Sequence, residues 1–185
     1  MSDKTKQAEE FLKHEFTAHQ HYSFGDGQIM YDHGLNVLRF AEEIAESMEC
    51  DREVLAIGAL LHDIGKTAEV DEATLRRDHA KLSWQVSENF INQLGLTPEQ
   101  TENLKAILSG VGESVETQII EDADIIAFFA DKQLQTALND WAQKRGIENE
   151  LQRKLGKVDK LRFDISRQII QPHLTHMKSH WSLYL

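Results

Sequence analysis

Apolar residues recur at intervals of three and four along almost the whole chain, and few helix-breaking residues interrupt them. Only two prolines and ten glycines occur among the 185 residues. This period is typical of amphipathic α-helices, because residues three and four positions apart lie on one helix face. The sequence therefore predicts an all-α fold, a bundle of about seven to eight helices around one apolar core.

Polar residues and glycines mark several helix boundaries. Asp51 precedes the apolar segment 54–61 and is a predicted N-cap, and Gly65 is a predicted stop beyond the end of that helix. The next helix is expected to begin near His79, beside a capping Asp78, and the last to span about 148–171, where Pro172 bends or ends it. The motif "TPEQ" at 97–100 has a capping-box pattern with proline at the first helical position. These signals divide the chain into helices without a linker, so we expect one domain over residues 1–185.

Charge and composition exclude several classes of protein. The formal net charge of −11 disfavours extended binding to DNA or RNA, which depends on many Lys and Arg contacts to phosphate. The single cysteine, Cys50, excludes an internal disulfide and fits a reducing compartment. The first residues lack a signal-peptide core, and the longest apolar runs are too short to span a bilayer. We therefore expect a cytoplasmic protein without membrane contact.

The segment "ALLHDIGKTAE" places His62, Asp63 and Lys66 where the most hydrophobic helix ends. His33 lies on the apolar stripe of the preceding helix, and Asp124 lies in the apolar segment "EDADII". An ionised carboxylate in such surroundings costs several kcal/mol to bury alone, and a cation removes much of that cost. Two imidazoles and two carboxylates suit a divalent ion such as Mn²⁺, Fe²⁺, Co²⁺ or Zn²⁺. The alternative is a buried His–Asp hydrogen-bond network without metal.

These motifs resemble those of the HD-domain metal-dependent phosphohydrolase superfamily. "LLHDIGK" is very close to the usual form of the family motif, and "YDHGLNVLRFAEEIA" is similar to the helix that carries the first ligand. The resemblance covers roughly residues 28–130 and leaves 131–185 as a C-terminal helical extension without an assigned role. It implies a helical bundle, one or two divalent metals, and hydrolysis of a phosphate ester, often in a nucleotide.

The resemblance also implies roles for individual residues. His33, His62, Asp63 and Asp124 would hold the metal, which could also be Mg²⁺, and Lys66 would face the phosphate. His79 matches one of two further histidines found in two-metal members. The second is missing from "KAILSGVGESVE", which favours a single metal. Asp122 and Glu121 are interpreted as solvated carboxylates, or as supports behind the ligands.

Two functions from different classes follow. The first is a phosphohydrolase of a small phosphorylated metabolite, with nucleotides as the leading class, in which a metal-bound hydroxide attacks phosphorus. In this hypothesis Asp63 orients the water, Lys66 stabilises phosphoryl charge, and His79 positions phosphate or acts as general acid. The second is a non-catalytic sensory or ligand- or protein-binding module with the same fold. The amphipathic C-terminal segment 151–169 could also pair two copies in a homodimer.

Overall fold

The structure, a computed structural model, describes residues 1–19, 26–148 and 150–180, except for the side chains of 178–180. It confirms the predicted all-α fold: nine α-helices and two short 3-10 helices, and no strand, occur in these ranges. The α-helices are α1 (Asp3–Ala18), α2 (Gly27–Ala45), α3 (Arg52–Leu61), α4 (Glu72–Gln93), α5 (Pro98–Leu108), α6 (Val115–Ala130), α7 (Lys132–Lys144), α8 (Glu150–Leu155) and α9 (Asp164–His180). The 3-10 helices span Ile64–Thr67 and Val158–Lys160. None of the described helices is long and apolar enough to cross a membrane.

The core forms where α2, α3 and α6 meet. The eight residues from Val54 to Leu61 of α3 are all buried, as expected of a helix that is apolar on every side. α3 contacts α1, α2, α5 and α6, while α2 and α6 pack extensively against each other. The three central helices are also those that carry the predicted ligands, so the site is built on the most buried part of the bundle.

The predicted caps are present. The side chain of Asp51 accepts hydrogen bonds from the backbone N–H groups of Glu53 and Val54, at 3.0 and 3.1 Å. Thr97 and Gln100 form the complete capping box, with each side chain accepting from the backbone N–H of the other. These bonds satisfy amide groups that have no partner inside their own helices.

Two predicted boundaries are wrong. α4 begins at Glu72, almost two turns before His79, because Asp71 caps it through the N–H of Thr74 at 3.0 Å. The long C-terminal helix expected from residue 148 to 171 is interrupted between α8 and α9, which allows both Leu151 and Leu161 to be buried. Of the two expected effects of Pro172, bending or ending the last helix, the second does not occur, because α9 continues through it.

Gly65 has a different role from the predicted helix stop. α3 ends at Leu61, and Gly65 lies inside the first 3-10 helix. A Cβ atom at this position would lie 2.2 Å from the carbonyl oxygen of His79 and 2.4 Å from the backbone nitrogen of Ser83. Glycine is required here because α4 crosses directly over the turn that follows His62 and Asp63.

Candidate metal centre

Each of the three central helices delivers one side chain to a single point. His33 comes from α2, His62 caps the C-terminus of α3, and Asp124 comes from α6. Nε2 of His33 lies 3.2 Å from Oδ1 of Asp124, and Nε2 of His62 lies 3.9 Å from the same oxygen. One potential ligand atom from each residue lies within 4.8 Å of the other two. This spacing allows the three atoms to share one ion.

Asp63 completes the predicted set. Its Oδ2 atom lies 3.5 Å from Nε2 of His62 and 3.9 Å from Nε2 of His33. The same oxygen accepts a hydrogen bond from the ammonium group of Lys66. The structure thus brings together the four predicted ligands and the predicted phosphate-facing lysine.

The orientation of the His62 ring matches that of a metal ligand. Its Nδ1 lies 2.8 Å from the carbonyl oxygen of Ala59, which can only accept, so Nδ1 carries the proton and donates it. In the neutral ring, Nε2 then presents a lone pair towards the carboxylates of Asp63 and Asp124. That Nε2 atom is buried and has no hydrogen-bond partner among the described residues. A divalent cation would satisfy it and neutralise both carboxylates, so the donor set fits a metal.

The local electrostatics keep the acidic ligands ionised. Burial raises the pKa of Asp63, but the charge of Lys66 and the neighbouring His62 outweigh burial and hold it below its usual range. Burial likewise raises the pKa of Asp124, and the hydrogen bond with His33 and the charge of Lys157 reverse this effect. Burial lowers the pKa of His33. At neutral pH the site therefore offers carboxylates and a neutral imidazole, the forms that bind metals.

Ser83 is a supporting residue that sequence reasoning missed. It is fully buried in α4, where its hydroxyl accepts from the N–H of Gly65 at 3.0 Å. The same hydroxyl lies 2.7 Å from the carbonyl oxygen of His62 and 3.0 Å from that of His79, to which it can donate. Ser83 thereby fixes the turn carrying His62 and Asp63 against α4. No local pattern marks it, because its partners lie about 20 residues away in the chain.

A cavity of about 410 Å³ opens at the metal centre. Helices α4, α7 and α8 enclose it together with α2 and α6. Five Lys and Arg side chains line it: Lys66, Arg76, Arg153, Lys154 and Lys157. An apolar wall consists of Met30, Leu75, Phe128, Leu134, Leu138 and Trp141. The cavity therefore combines a positive surface with an apolar one.

His79 also lines this cavity, although its position in the helix differs from the prediction. It lies in the interior of α4 and not at its start, and Asp78, considered as its cap, instead pairs with Arg77. Nδ1 of His79 makes a long contact of 3.4 Å to the carbonyl oxygen of Arg76. Its role in phosphate positioning or proton transfer stays a prediction.

The C-terminal extension contributes to the site, which the sequence interpretation did not anticipate. Nζ of Lys157 lies 3.7 Å from Oδ2 of Asp124, and Nζ of Lys154 lies 4.6 Å from the ring centre of Phe128. The basic stretch "LQRKLGKVDK" at 151–160, in an otherwise acidic chain, is the signal that could have revealed this contribution.

Asp122 is neither solvated nor directed at the ligands. It is buried, and its carboxylate accepts hydrogen bonds from the backbone N–H groups of Arg162 at 3.0 Å and Phe163 at 3.1 Å. Its neighbour Glu121 is exposed and pairs with the Arg162 side chain. Asp122 therefore fastens the start of α9 to α6, two residues from Asp124.

The fold and the site together define an all-α protein with a cluster of His and Asp side chains, able to hold a metal ion, at the junction of three helices. The HD domain family model matches residues 30–133, more than half of the chain, and the protein belongs to this family. A solved HD-superfamily hydrolase from Bacillus thuringiensis shares the fold, with a TM-score of 0.71 and 16% identity over 98% of this chain and 95% of that chain. The family assignment and the centre support a metal-dependent hydrolase.

Curated relatives match over shorter segments. A tRNA (cytidine(56)-2'-O)-methyltransferase from Picrophilus torridus is 31% identical over 105 residues, which is 52% of this chain and 30% of that protein. The protein of the same name from Thermoplasma volcanium is 29% identical over 143 residues, covering 71% and 41%. An uncharacterised protein from Clostridium beijerinckii is 30% identical over 80 residues, covering 42% and 49%. The matches span less than half the length of each relative.

Proposed function

We propose that the protein is a metal-dependent phosphohydrolase of a small phosphorylated metabolite, with nucleotides as the leading class. One observation carries the proposal: the metal centre and a concentrated positive surface share one cavity. The whole chain has a net charge of −11, yet five Lys and Arg side chains line this cavity against three carboxylates. Such local reversal of charge favours an anionic ligand, and phosphate suits Arg and Lys donors.

The chain's own groups have distinct tasks in this mechanism. His33, His62, Asp63 and Asp124 would hold a divalent ion, which supplies Lewis acidity towards water and the phosphoryl group. Asp63, ionised at neutral pH, orients the attacking water, while Lys66 stabilises the charge that develops on the phosphoryl oxygens. His79 positions the phosphate or protonates the leaving group.

The apolar wall supports an organic substituent on the phosphate. The cavity volume of about 410 Å³ suits a small molecule rather than a polymer. Leu134, Leu138 and Trp141 of α7 line this volume together with Arg153 and Lys154 of α8. A nucleoside offers both a hydrophobic base and a phosphate, which is why nucleotides lead the list of candidate substrates.

Metal content tests the centre. Elemental mass spectrometry on untagged wild-type protein should find about one equivalent of divalent metal, either as purified or after reconstitution. We expect this because the ligands are already assembled in the fold. Asp124→Ala should lose it, while Asp159→Ala, which removes an exposed carboxylate outside the cavity, should retain it. Equal metal content in the two variants would contradict the assignment.

Hydrolysis tests the activity. After reconstitution with Mn²⁺ or Co²⁺, p-nitrophenyl phosphate and a panel of nucleotides should release phosphate or nucleoside. Asp63→Ala should lower turnover by at least about 100-fold, and Lys66→Met should lower kcat/KM by about 10- to 100-fold. An active Asp63→Ala protein would refute the mechanism.

The absence of a histidine in "KAILSGVGESVE" favours one second candidate, a non-catalytic module that binds a phosphorylated ligand. In that case the wild type would bind metal and nucleotide without turning any of the panel over.

A further inference from the structure

The cavity contains more cationic side chains than carboxylates that could pair with them. Each of its three carboxylates has a cationic partner: Lys66 for Asp63, Lys157 for Asp124, and Arg153 for Glu150. Two cavity cations, Lys154 and Arg76, form no ion pair with a carboxylate of the described residues. They contact aromatic rings instead, those of Phe128 and Trp141. The cavity therefore contains positive charge beyond what its own acidic groups neutralise.

The net positive charge of the cavity exceeds what one phosphate group can neutralise. Five cations against three carboxylates leave two positive charges, and a divalent ion at the ligands brings the total to four. A phosphate monoester carries about 1.5 to 2 negative charges at neutral pH. One such group would leave about two positive charges in the cavity. Arg153 is exposed and screened by solvent, but Lys154 is half-buried, where uncompensated charge is costly. A second phosphoryl group would balance them.

The positions of the two lysines indicate where the second group would lie. Lys157 contacts Asp124, and Lys154 lies over Phe128, four residues further along α6. Residues four apart are neighbours on a helix surface, separated by about one turn, or 5.4 Å along the axis. Lys157 and Lys154 thus contact α6 at two points about one helical turn apart, the first at Asp124 in the metal centre and the second at Phe128. Two phosphoryl groups of a single small molecule can span this separation.

We propose that Lys154 binds a second phosphoryl group, so that the ligand is a small molecule with two phosphoryl groups, either joined as a diphosphate or carried separately as a bisphosphate. This inference rests on the proposed function, because it takes the first phosphoryl group to lie at the metal centre. Burial and the nearby Lys157 lower the pKa of Lys154 to about 8, and a bound anion would relieve the repulsion behind this shift.

Calorimetric titration tests the proposal without requiring turnover. The protein as purified is titrated with orthophosphate and pyrophosphate, and separately with adenosine 5′-monophosphate and adenosine 3′,5′-bisphosphate. The wild type should bind the doubly phosphorylated member of at least one pair about tenfold more tightly. The pair that shows this preference distinguishes a diphosphate from a bisphosphate ligand.

Lys154→Met should reduce the preference to less than about threefold, because methionine keeps the apolar contact with Phe128 but removes the charge. Lys160→Met is the matched control, since Lys160 is exposed in the same segment and does not line the cavity. Lys154→Gln serves as a second variant if Lys154→Met melts at a lower temperature. Pyrophosphate could also bind tightly by chelating a bound metal, but that binding does not depend on Lys154 and would be unchanged in Lys154→Met.

Absence of any preference in the wild type, or a preference that survives in both Lys154 variants, would overturn the proposal. Failure of the proposed activity is a separate result: the wild type would then show the preference in calorimetry and hydrolyse none of the phosphate esters.

Discussion

At the scale of single residues, Ser83 controls the position of the ligand-bearing turn. Ser83→Ala leaves the N–H of Gly65 without its partner in a fully buried environment. We expect a loss of about 1–3 kcal/mol in the free energy of unfolding and a weaker affinity for metal, because His62 and Asp63 lose their support. Urea unfolding and metal titration measure the two effects.

Ser87 provides the control for this prediction. It is as buried as Ser83, but its hydroxyl donates to the carbonyl oxygen of Ser83 within the same helix. Ser87→Ala should leave metal affinity within about twofold of the wild type, since no bond across helices is lost. A metal affinity that falls equally in both variants would mean that Ser83 does not position the centre.

At the scale of elements, a carboxylate network joins the N-termini of α3, α5 and α6. Glu116 is buried and accepts from the N–H of Asp51 at 2.8 Å and from the Asn103 side chain at 3.1 Å. Asp51, which caps α3, also accepts from the side chain of Gln100 at 2.9 Å. The network aligns three helices at the end of the bundle, and α3 and α6 carry two of the metal ligands.

This network makes stability depend on pH. Burial raises the pKa of Glu116, but its hydrogen bonds prevail and hold the pKa below the ordinary value of 4.5. A carboxylate with a lowered folded-state pKa stabilises the fold above its ordinary pKa, and this contribution is lost as the pH falls through the folded-state value. Glu116→Gln should therefore cost about 1–3 kcal/mol at pH 6, with a smaller difference from wild type at pH 3.

Urea unfolding between pH 3 and 6 measures this difference, with Glu102→Gln, an exposed change on α5, as the control. A difference between Glu116→Gln and the wild type that stays constant over this range would refute the linkage.

At the scale of the whole molecule, Asp122 determines whether the C-terminal extension stays on the metal-binding core. Asp122→Ala removes the acceptor of two backbone N–H groups ahead of α9 and should cost about 2–4 kcal/mol. We expect faster amide hydrogen exchange in α9, which packs on α6, and weaker binding of phosphorylated ligands as the cavity wall loosens. Hydrogen exchange followed by mass spectrometry resolves α9 from the core.

Glu121→Ala is the matched control, because Glu121 pairs with the same Arg162 from an exposed position. Surface ion pairs contribute at most about 1 kcal/mol, so exchange in α9 should change little. Equal acceleration in the two variants would show that the buried carboxylate does not hold the extension. Pairing of two copies through this segment stays a prediction, although Ile170 and Met177 of α9 are already buried within one chain.

Much of the fold could be predicted because its determinants are local. The three- and four-residue apolar period specifies helices, and Asp51 and Thr97 mark helix starts through bonds to residues two or three positions away. The early start of α4 has a local signal, the Asp71 cap, that the sequence interpretation missed. The interruption of the C-terminal helix depends instead on distant contacts, because tertiary packing buries residues such as Leu161. Propensity within a short window contains no information about such partners.

The sequence by itself determined the helical class, the family motifs and the candidate ligands His33, His62, Asp63 and Asp124, because residue chemistry and helical period can be read along the chain. Only the tertiary structure decided that each histidine of this set lies 3.2 to 3.9 Å from both carboxylates, and that Ser83 and Asp122 support their surroundings. It also placed Lys154 and Lys157 in the cavity. The physical reason is that such contacts join groups 20 to 90 residues apart in the chain, and their distances depend on how whole helices pack.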